Sequence, residues 1–515
     1  MKTTAEHSIF SSEFQAVLAP FQQEELESLQ QAAHEAQEWR DKYHNIMEQL
    51  LLAKQQRFGR SSEAHIGQGE LQFDEAESVE TTELPQEENT LTVIYTRKKP
   101  VRRPLPKHLP RVIIEHDISE EEKMCACGCM KERFGEEITE QLEYIPAKLS
   151  VIAHVRLKYA CRPCAEGVSM APMPQLFLPK SMATPSLVAH TVISKYEDHL
   201  PLYRQEHIWQ RLGIEMPRNT VCGWIMAAYE VCEPMRQALH EELIASSYLQ
   251  ADETTMQVMD EPKRKNTSTS YMWVYTNHRP DKKVVLFDYQ QSREGRWPKQ
   301  MLKDFKGYLQ TDGYRGYDWV DDRHDIIHLG CFAHARRPFA QLVKLAKTTG
   351  KSHQAVAFIK KLYLIEKVAR DNNYTHKQRY ELRLQQAKPI WDELKIWLDK
   401  TIKTTAPKSK LGEALFYMHH RWKELTAYLL DGMLEIDNNL IENLIRPFAL
   451  GRKNWMMSGS PRGAHAGALF YSLIATAKAN GIIPFDYLKH LFENIRFCKT
   501  SEDYKALLPF NIKLP

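Results

Sequence analysis

Three carboxylates in this chain stand where they could share a divalent cation. Asp252 lies in the run Leu249 to Thr255, which has no basic side chain, and Asp312 is followed by Gly313, which permits a sharp turn. Glu442 opens a helical stretch, LEIDNNLIENLIRPFALGRKNW (434–455), that is crowded with amides and cationic groups. Any one of these acids alone reads as structural. Brought together and partly buried, they would repel one another unless a cation sat between them. Magnesium, or manganese in its place, is a hard ion that takes oxygen donors. Two such ions roughly 4 Å apart would clamp the attacking and leaving oxygens of a phosphodiester. Nearby acids fit other roles. Asp437 precedes the helix and suits its cap; Glu253 adjoins Asp252 in a strand, so alternation sends the two to opposite faces and only one can be a ligand. Asp318, Asp321 and Asp322 follow a loop and read as surface acids.

On a helix, Asn438 and Arg446 lie one turn either side of Glu442 and on its face. Arg452, Lys453 and Asn454, beyond Pro447 and Gly451, would extend that face along a DNA backbone. A solvated helix end is the plainer alternative, and for Trp455 a buried ring is plainer than a base-stacking one. A second cluster is built from sulfur: Cys125, Cys127 and Cys129 in CACGC, then Cys161 and Cys164 in CRPC, after a strand-like LSVIAHVRLKYAC. Two thiol groups about 35 residues apart suit one structural, tetrahedral zinc held by four of the five. His154 is an alternative ligand, though a strand histidine is more often simply packed. Nine cysteines, an odd number, argue for a metal site in a reducing compartment, with the cytoplasm as the default.

The elements that must position these groups follow from periodicity. SSYLQADETTMQVM, TSYMWVYTNH and KVVLFDYQ are three β-rich runs with short polar breaks; a helical GRWPKQMLKDF follows, then strand-like GYLQTDGYRGY and DIIHLGC. Helix returns over 335–430 and again around Glu442. This β-β-β-α-β-α-β-α order is that of a ribonuclease-H-like fold carrying a long helical insertion before its last helix. In that topology the first and fourth strands are neighbours and the late helix crosses their ends, so the three acids converge. The fold class expected is α+β and multidomain. Its parts are an N-terminal helix or coiled coil (1–63), an acidic then basic linker (64–110), a zinc-binding module (111–180) and a helical DNA-binding domain (181–245). The catalytic core comes in two pieces (246–334 and 431–498) around the helical insertion (335–430), and a tail ends the chain (499–515).

The coiled coil rests on Leu26, Leu29, Ala33, Ala36, Tyr43, Met47 and Leu50 at a/d positions, interrupted by Arg40, and implies a homo-oligomer. A lone amphipathic helix is the alternative. The helical domain contains LPLYRQEHIWQRLGIEMPRNTVCGWI, which reads as helix-turn-helix: one helix over Tyr203–Leu212, a turn at Gly213, and a second helix opened by Pro217, Arg218, Asn219 and Thr220. Arg218 and Asn219 at that N-terminus would meet phosphate or base edges, whereas helical hairpins without DNA are common.

Composition is that of ordinary globular material, 43% hydrophobic and 26% charged, and 515 residues require several cores. The net charge of +3 hides eight acids in 70–88 and six bases in 97–107. That contrast suits a linker with an edge for nucleic acid, or simply a solvated one. The N-terminal MKTTAEHSIFSSEF lacks the apolar stretch of a signal peptide, and no run of about 18 apolar residues exists to span a bilayer, so no membrane is expected.

Taken with its motifs, the chain resembles transposases of the insertion sequence 66 family, within the DDE class. The segments that carry the resemblance are RFGRSSE, FDEAE, RRPLP, the cysteine group, ITEQLEYIPA, HLPLYRQ, ADETTMQV, LQTDGYRGY, CFAHARRPF, DNNLIENLIRPFALGRKNWMMSGS and SLIATAKANGIIPFDYL. They run in family order over nearly the whole chain. CACGC departs from the simpler Cys-x-x-Cys of the family. The resemblance implies that Asp252, Asp312 and Glu442 are the acidic triad, holding two magnesium or manganese ions. It implies that Cys331 and His334 support the site, and that double-stranded DNA, both element ends and target, is the partner. The activity it implies is cleavage at element ends and joining of the freed 3′ hydroxyls to target DNA. Companion proteins encoded by the same element stay open. A ribonuclease-H-like nuclease without strand transfer and a non-enzymatic DNA-binding regulator are the competing readings.

Overall fold

A computed structural model describes residues 149–160, 168–345 and 350–512, together with scattered helical positions between 28 and 47. The five cysteines of the zinc cluster, the charged linker and most of the heptad register lie outside the described residues. The chain divides into two compact units, Thr82–Pro174 and the remainder. In the first, β1 (Lys158–Ala160) pairs antiparallel with β2 (Val168–Met170). The strand expected across LSVIAHVRLKYAC is confined to these last residues. Residues 149–157 are exposed and lack regular structure, because no described segment offers their backbone groups a ladder.

After residue 175 the larger unit has four helices, α1 (Pro185–Tyr196), α2 (Leu202–Arg211), α3 (Arg218–Cys232) and α4 (Pro234–Ile244). Its sheet follows: β3 (Tyr248–Gln257), β4 (Thr269–Asn277), β5 (Val285–Gln290), β6 (Gly307–Gln310) and β7 (Ile326–Leu329), in the order β5-β4-β3-β6-β7. β3, β4 and β5 form an antiparallel meander, whereas β6 and β7 run parallel to β3. The short α5 (Arg296–Met301) connects β5 to β6. β4 and β5 are buried nearly throughout, as apolar runs such as YMWVY and VVLF require when helices cover both faces.

A helical layer follows: α6 (Phe332–Leu345), α7 (Lys351–Asp371), α8 (His376–Leu382), α9 (Lys388–Lys403), α10 (Lys410–His420) and α11 (Trp422–Thr426). It has its own core, in which Phe332, Phe339, Leu362, Trp391, Leu415 and Tyr428 pack together. A buried ion cluster ties it to the segment ahead of Glu442. Glu366 takes Arg383 at 2.8 Å and Arg379 at 2.7 Å, and Arg383 donates to the carbonyls of Tyr428, Asp431 and Leu434.

The chain then returns to the sheet as α12 (Asn439–Trp455), α13 (Pro461–Ala479), α14 (Pro484–Asn494) and α15 (Ser501–Ala506). α12 runs through Pro447 without interruption and buries Ile441, Ile445 and Phe448. α13 lies along the edge strand β5: Ser472 accepts from the Phe287 N–H at 2.8 Å, and Thr476 from the Val285 N–H at 3.1 Å. Helix hydroxyls thus close an edge that would otherwise offer open backbone groups. No helix among the described residues is long and apolar enough to cross a membrane.

Candidate active site

The register of β3 on β6 brings the first two acids level. Tyr248, Leu249 and Gln250 stand opposite Tyr308, Leu309 and Gln310 in parallel. Asp252 and Asp312 therefore each lie two residues beyond the last paired position, and alternation turns both to the same side. Asp312 is held in its turn by accepting the Tyr314 N–H at 2.9 Å, and Gly313 follows at φ +86°. α10 pins the same turn: the Tyr417 hydroxyl donates to the Asp312 carbonyl at 2.8 Å, and Arg421 to the Gly313 carbonyl at 3.2 Å. A Cβ on Gly313 would meet the Tyr417 oxygen at 2.7 Å, so this approach depends on glycine.

Glu253 departs from the expectation that it faces away. Oxygens of Asp252, Glu253 and Asp312 all lie within 4.8 Å of one another. The β3–β6 pairing ends at Gln250 and Gln310, short of Glu253, whose side chain is almost fully buried. Arg293 holds it there at 2.6 Å while lying 4.0 Å from Asp312 and stacking over Tyr314. Tyr317 donates to the other Glu253 oxygen at 3.5 Å.

Glu442 lies in a second group, with Cys331 and His334, whose donor atoms also fall within 4.8 Å of one another. His334 Nδ1 is 3.6 Å from its carboxylate and Arg337 3.9 Å. Electrostatics link the two groups. Burial, then the charges of Asp312, Glu253 and Glu442, hold the Asp252 carboxyl well above the usual range. Glu253 rises to about 7, through burial and Asp312. His334 is pulled down to about 4 by burial and by Arg337, so its ring is neutral near pH 7. Acids packed until their charges are disfavoured, with oxygens this close, form a donor set that fits a hard divalent cation.

A buried amide network seats α12 on the strands. Gln250 donates to Gln310 at 2.8 Å and to the Asp437 carbonyl at 3.2 Å; Gln310 donates to the Glu435 carbonyl at 2.9 Å and that of Gly330 at 3.1 Å. The Cys331 sulfur accepts the Asn438 N–H at 3.4 Å, and burial keeps that thiol protonated. Asp437 is not the cap expected of it: Asn438 holds the N-cap position and no side chain caps the helix, while Asp437, one residue earlier, accepts from the Asn439 N–H at 3.2 Å and from Tyr363 at 2.9 Å.

The remaining residues singled out in the sequence divide. Asn438 is fully buried, and its side-chain amide has no hydrogen-bond partner among the described residues, so it faces the interior and not a DNA surface. Arg446 is exposed one turn past Glu442. Arg452 bends back to β3, donating to Thr255 at 3.0 Å and Thr254 at 3.4 Å, and acts as a brace. Lys453 is exposed, and Asn454 donates to the Leu450 carbonyl at 3.5 Å. Trp455 packs edge-on to Tyr196 under Lys195. Arg218 and Asn219 are exposed on the first turn of α3, after a turn at Gly213 with φ +76°.

Sequence reasoning missed Glu253, Arg293, Arg337, Tyr417 and the glutamine pair. For the glutamines a signal exists: LQAD (249–252) and LQTD (309–312) repeat the same pattern at both acids. Arg337 follows His334 by three residues and so shares its helical face. Nothing in the local sequence marks Arg293 or Tyr417.

Four family models match the chain. "Transposase IS66 family" covers 180–466 and "IS66 C-terminal element" 472–510. "Zinc-finger binding domain of transposase IS66" covers 122–165, and "Transposase C of IS166 homeodomain" 45–114. Among curated proteins, three from Sinorhizobium fredii are similar. Uncharacterized protein y4jD is 35% identical over 426 residues, covering 79% of this chain and 81% of that protein. Uncharacterized protein y4hP is 30% identical over 81% of this chain and 78% of its own length. Uncharacterized protein y4qI is 31% identical over 81% and 79%.

Proposed function

This chain belongs to the IS66 family of transposases, and on that premise we propose that it cuts DNA at the ends of its insertion sequence and joins the freed 3′ hydroxyls to target DNA. The observation that carries this reading is the meeting of Asp252, Glu253 and Asp312 within 4.8 Å, with the charge of Glu442 felt at Asp252. The sheet order, with β6 and β7 parallel to β3 and an antiparallel meander beyond, supports a ribonuclease-H-like core.

Asp252, Asp312 and Glu442 are the proposed metal ligands. Bound magnesium or manganese would supply electrophilic assistance to the phosphate and lower the pKa of the attacking oxygen. The protein's own part is positional. The paired register fixes Asp252 against Asp312, the glutamine network fixes the start of α12, and Arg293 offsets the extra charge of Glu253. His334, neutral near pH 7, lies 3.6 Å from the Glu442 carboxylate. Exposed Arg446, Lys453, Arg218 and Asn219 are the proposed DNA contacts. Four of Cys125, Cys127, Cys129, Cys161 and Cys164 are proposed to hold one structural zinc. A homo-oligomer follows from the need to hold two ends at once.

The test incubates purified protein with its own flanking DNA ends and magnesium, following nicked and joined products. Asp252→Ala, Asp312→Ala and Glu442→Ala should each abolish both products while end binding persists, because affinity comes mainly from phosphate contacts elsewhere. Substantial nicking by Glu442→Ala would remove Glu442 from the triad. Nicks without joined products in the wild type would favour a nuclease that does not transfer strands.

A further inference from the structure

A third group of ligating side chains lies apart from the acids above. Asp321, His328 and Glu424 bring one donor atom each to within 4.8 Å of one another. They line a cavity of about 460 Å³ between β7, with the segment just before it, and α11, together with Lys423, Thr426 and Leu430. His328 sits on β7 and is 8% exposed. Its Nε2 bonds the Thr311 hydroxyl at 2.9 Å, whereas its Nδ1 is buried and has no hydrogen-bond partner among the described residues. That nitrogen faces Asp321 at 3.9 Å, too long for a hydrogen bond.

A buried imidazole nitrogen without a partner calls for an explanation. Protonation is a poor one, since burial lowers the His328 pKa and keeps the ring neutral. In the tautomer that gives Nε2–H to Thr311, Nδ1 carries a lone pair, with the Asp321 carboxylate 3.9 Å away and Glu424 in the same group of ligating side chains. This is the arrangement in which a metal-ligating histidine is oriented through its other ring nitrogen. Glu424 is fixed on α11, where its backbone carbonyl accepts the Gly330 N–H at 2.9 Å and Arg421 takes one carboxylate oxygen at 3.2 Å. Asp321, its side chain 56% exposed, is free to swing the remaining distance.

We propose that Asp321, His328 and Glu424 form a metal site for a zinc-class divalent cation, separate from both the acidic triad and the cysteine cluster. One imidazole and two carboxylates suit zinc better than magnesium, which seldom takes nitrogen. Occupancy would also fix Thr311, the residue before Asp312, because the ring that holds the metal holds that hydroxyl.

Equilibrium dialysis of the full chain against Zn2+, with bound metal counted by elemental analysis, tests this. Wild type should hold one more zinc per chain than Asp321→Asn or His328→Gln, and Asp252→Asn should keep that extra ion. Asp321 is exposed, so its variant reports even where the His328 variant fails to fold. Thr311→Val should weaken the extra site by about tenfold, as loss of an orienting partner does. Equal zinc content and affinity in wild type and Asp321→Asn would overturn the site. So would loss of the extra ion in Asp252→Asn with its retention in Asp321→Asn.

Discussion

His278 shows how much a single buried ring contributes to the pH response of this fold. It stacks on Tyr248 at 4.4 Å, its Nε2 has no hydrogen-bond partner among the described residues, and burial pulls its pKa down to about 4. The unfolded chain takes up that proton near 6.5. Stability from the neutral ring is therefore fully present above pH 6.5 and is lost as pH falls toward 4. Urea unfolding of wild type across this window should show a slope that His278→Phe reduces by up to about 1.4 kcal/mol per pH unit. Identical slopes would mean that the ring is protonated as readily in the folded state as in the unfolded one. Arg452 carries a related lesson: its place after Glu442 suggests a DNA contact, but two threonines of β3 take its guanidinium first.

At the scale of elements, α12 is fastened to β3 at both ends. Gln250 and Gln310 hold its approach; past Trp455, the Ser458 N–H donates to the Gln257 carbonyl at 2.9 Å, and the Met259 N–H to the Ser458 carbonyl at 2.9 Å. Gln310→Leu would strip the donor from one buried and one partly buried carbonyl, at about 1–3 kcal/mol for the buried one. We expect lower stability and slower cleavage with end binding kept; unchanged cleavage would show that Glu442 is seated without the network. Much of this scaffold was legible in advance. The strand runs, the second helix opening at Arg218 and the helix bearing Glu442 all follow from periodicity and turn residues. What stayed hidden depends on long-range pairing. Glu253 is held beside the acids by Arg293, 40 residues further along the chain, and Tyr417 reaches Asp312 from 105 residues away. Strand alternation is a local rule and carries no information about contacts made from so far along the chain.

For the whole molecule, the helical layer is a second core whose ion cluster grips the segment leading to Glu442. Arg383 is fully buried against Glu366. Arg383→Met should destabilise by about 3–5 kcal/mol, because it leaves a buried carboxylate less compensated, and Glu366→Met in the same chain should recover much of that loss. Calorimetry of the single and double variants measures it; additive losses would mean that the pair is not coupled. The position of this layer between Asp312 and Glu442 also sets an order of events during synthesis. About 130 residues separate the two acids, so at roughly 5–20 residues per second Glu442 leaves the ribosome roughly 6–26 s after Asp312. Through that interval the nascent chain already holds α1–α4 and two of its acids but lacks the third, and the tyrosine that pins the second follows it by 105 residues. Translation itself therefore acts as a timer, withholding the proposed cutting activity until Glu442 has emerged.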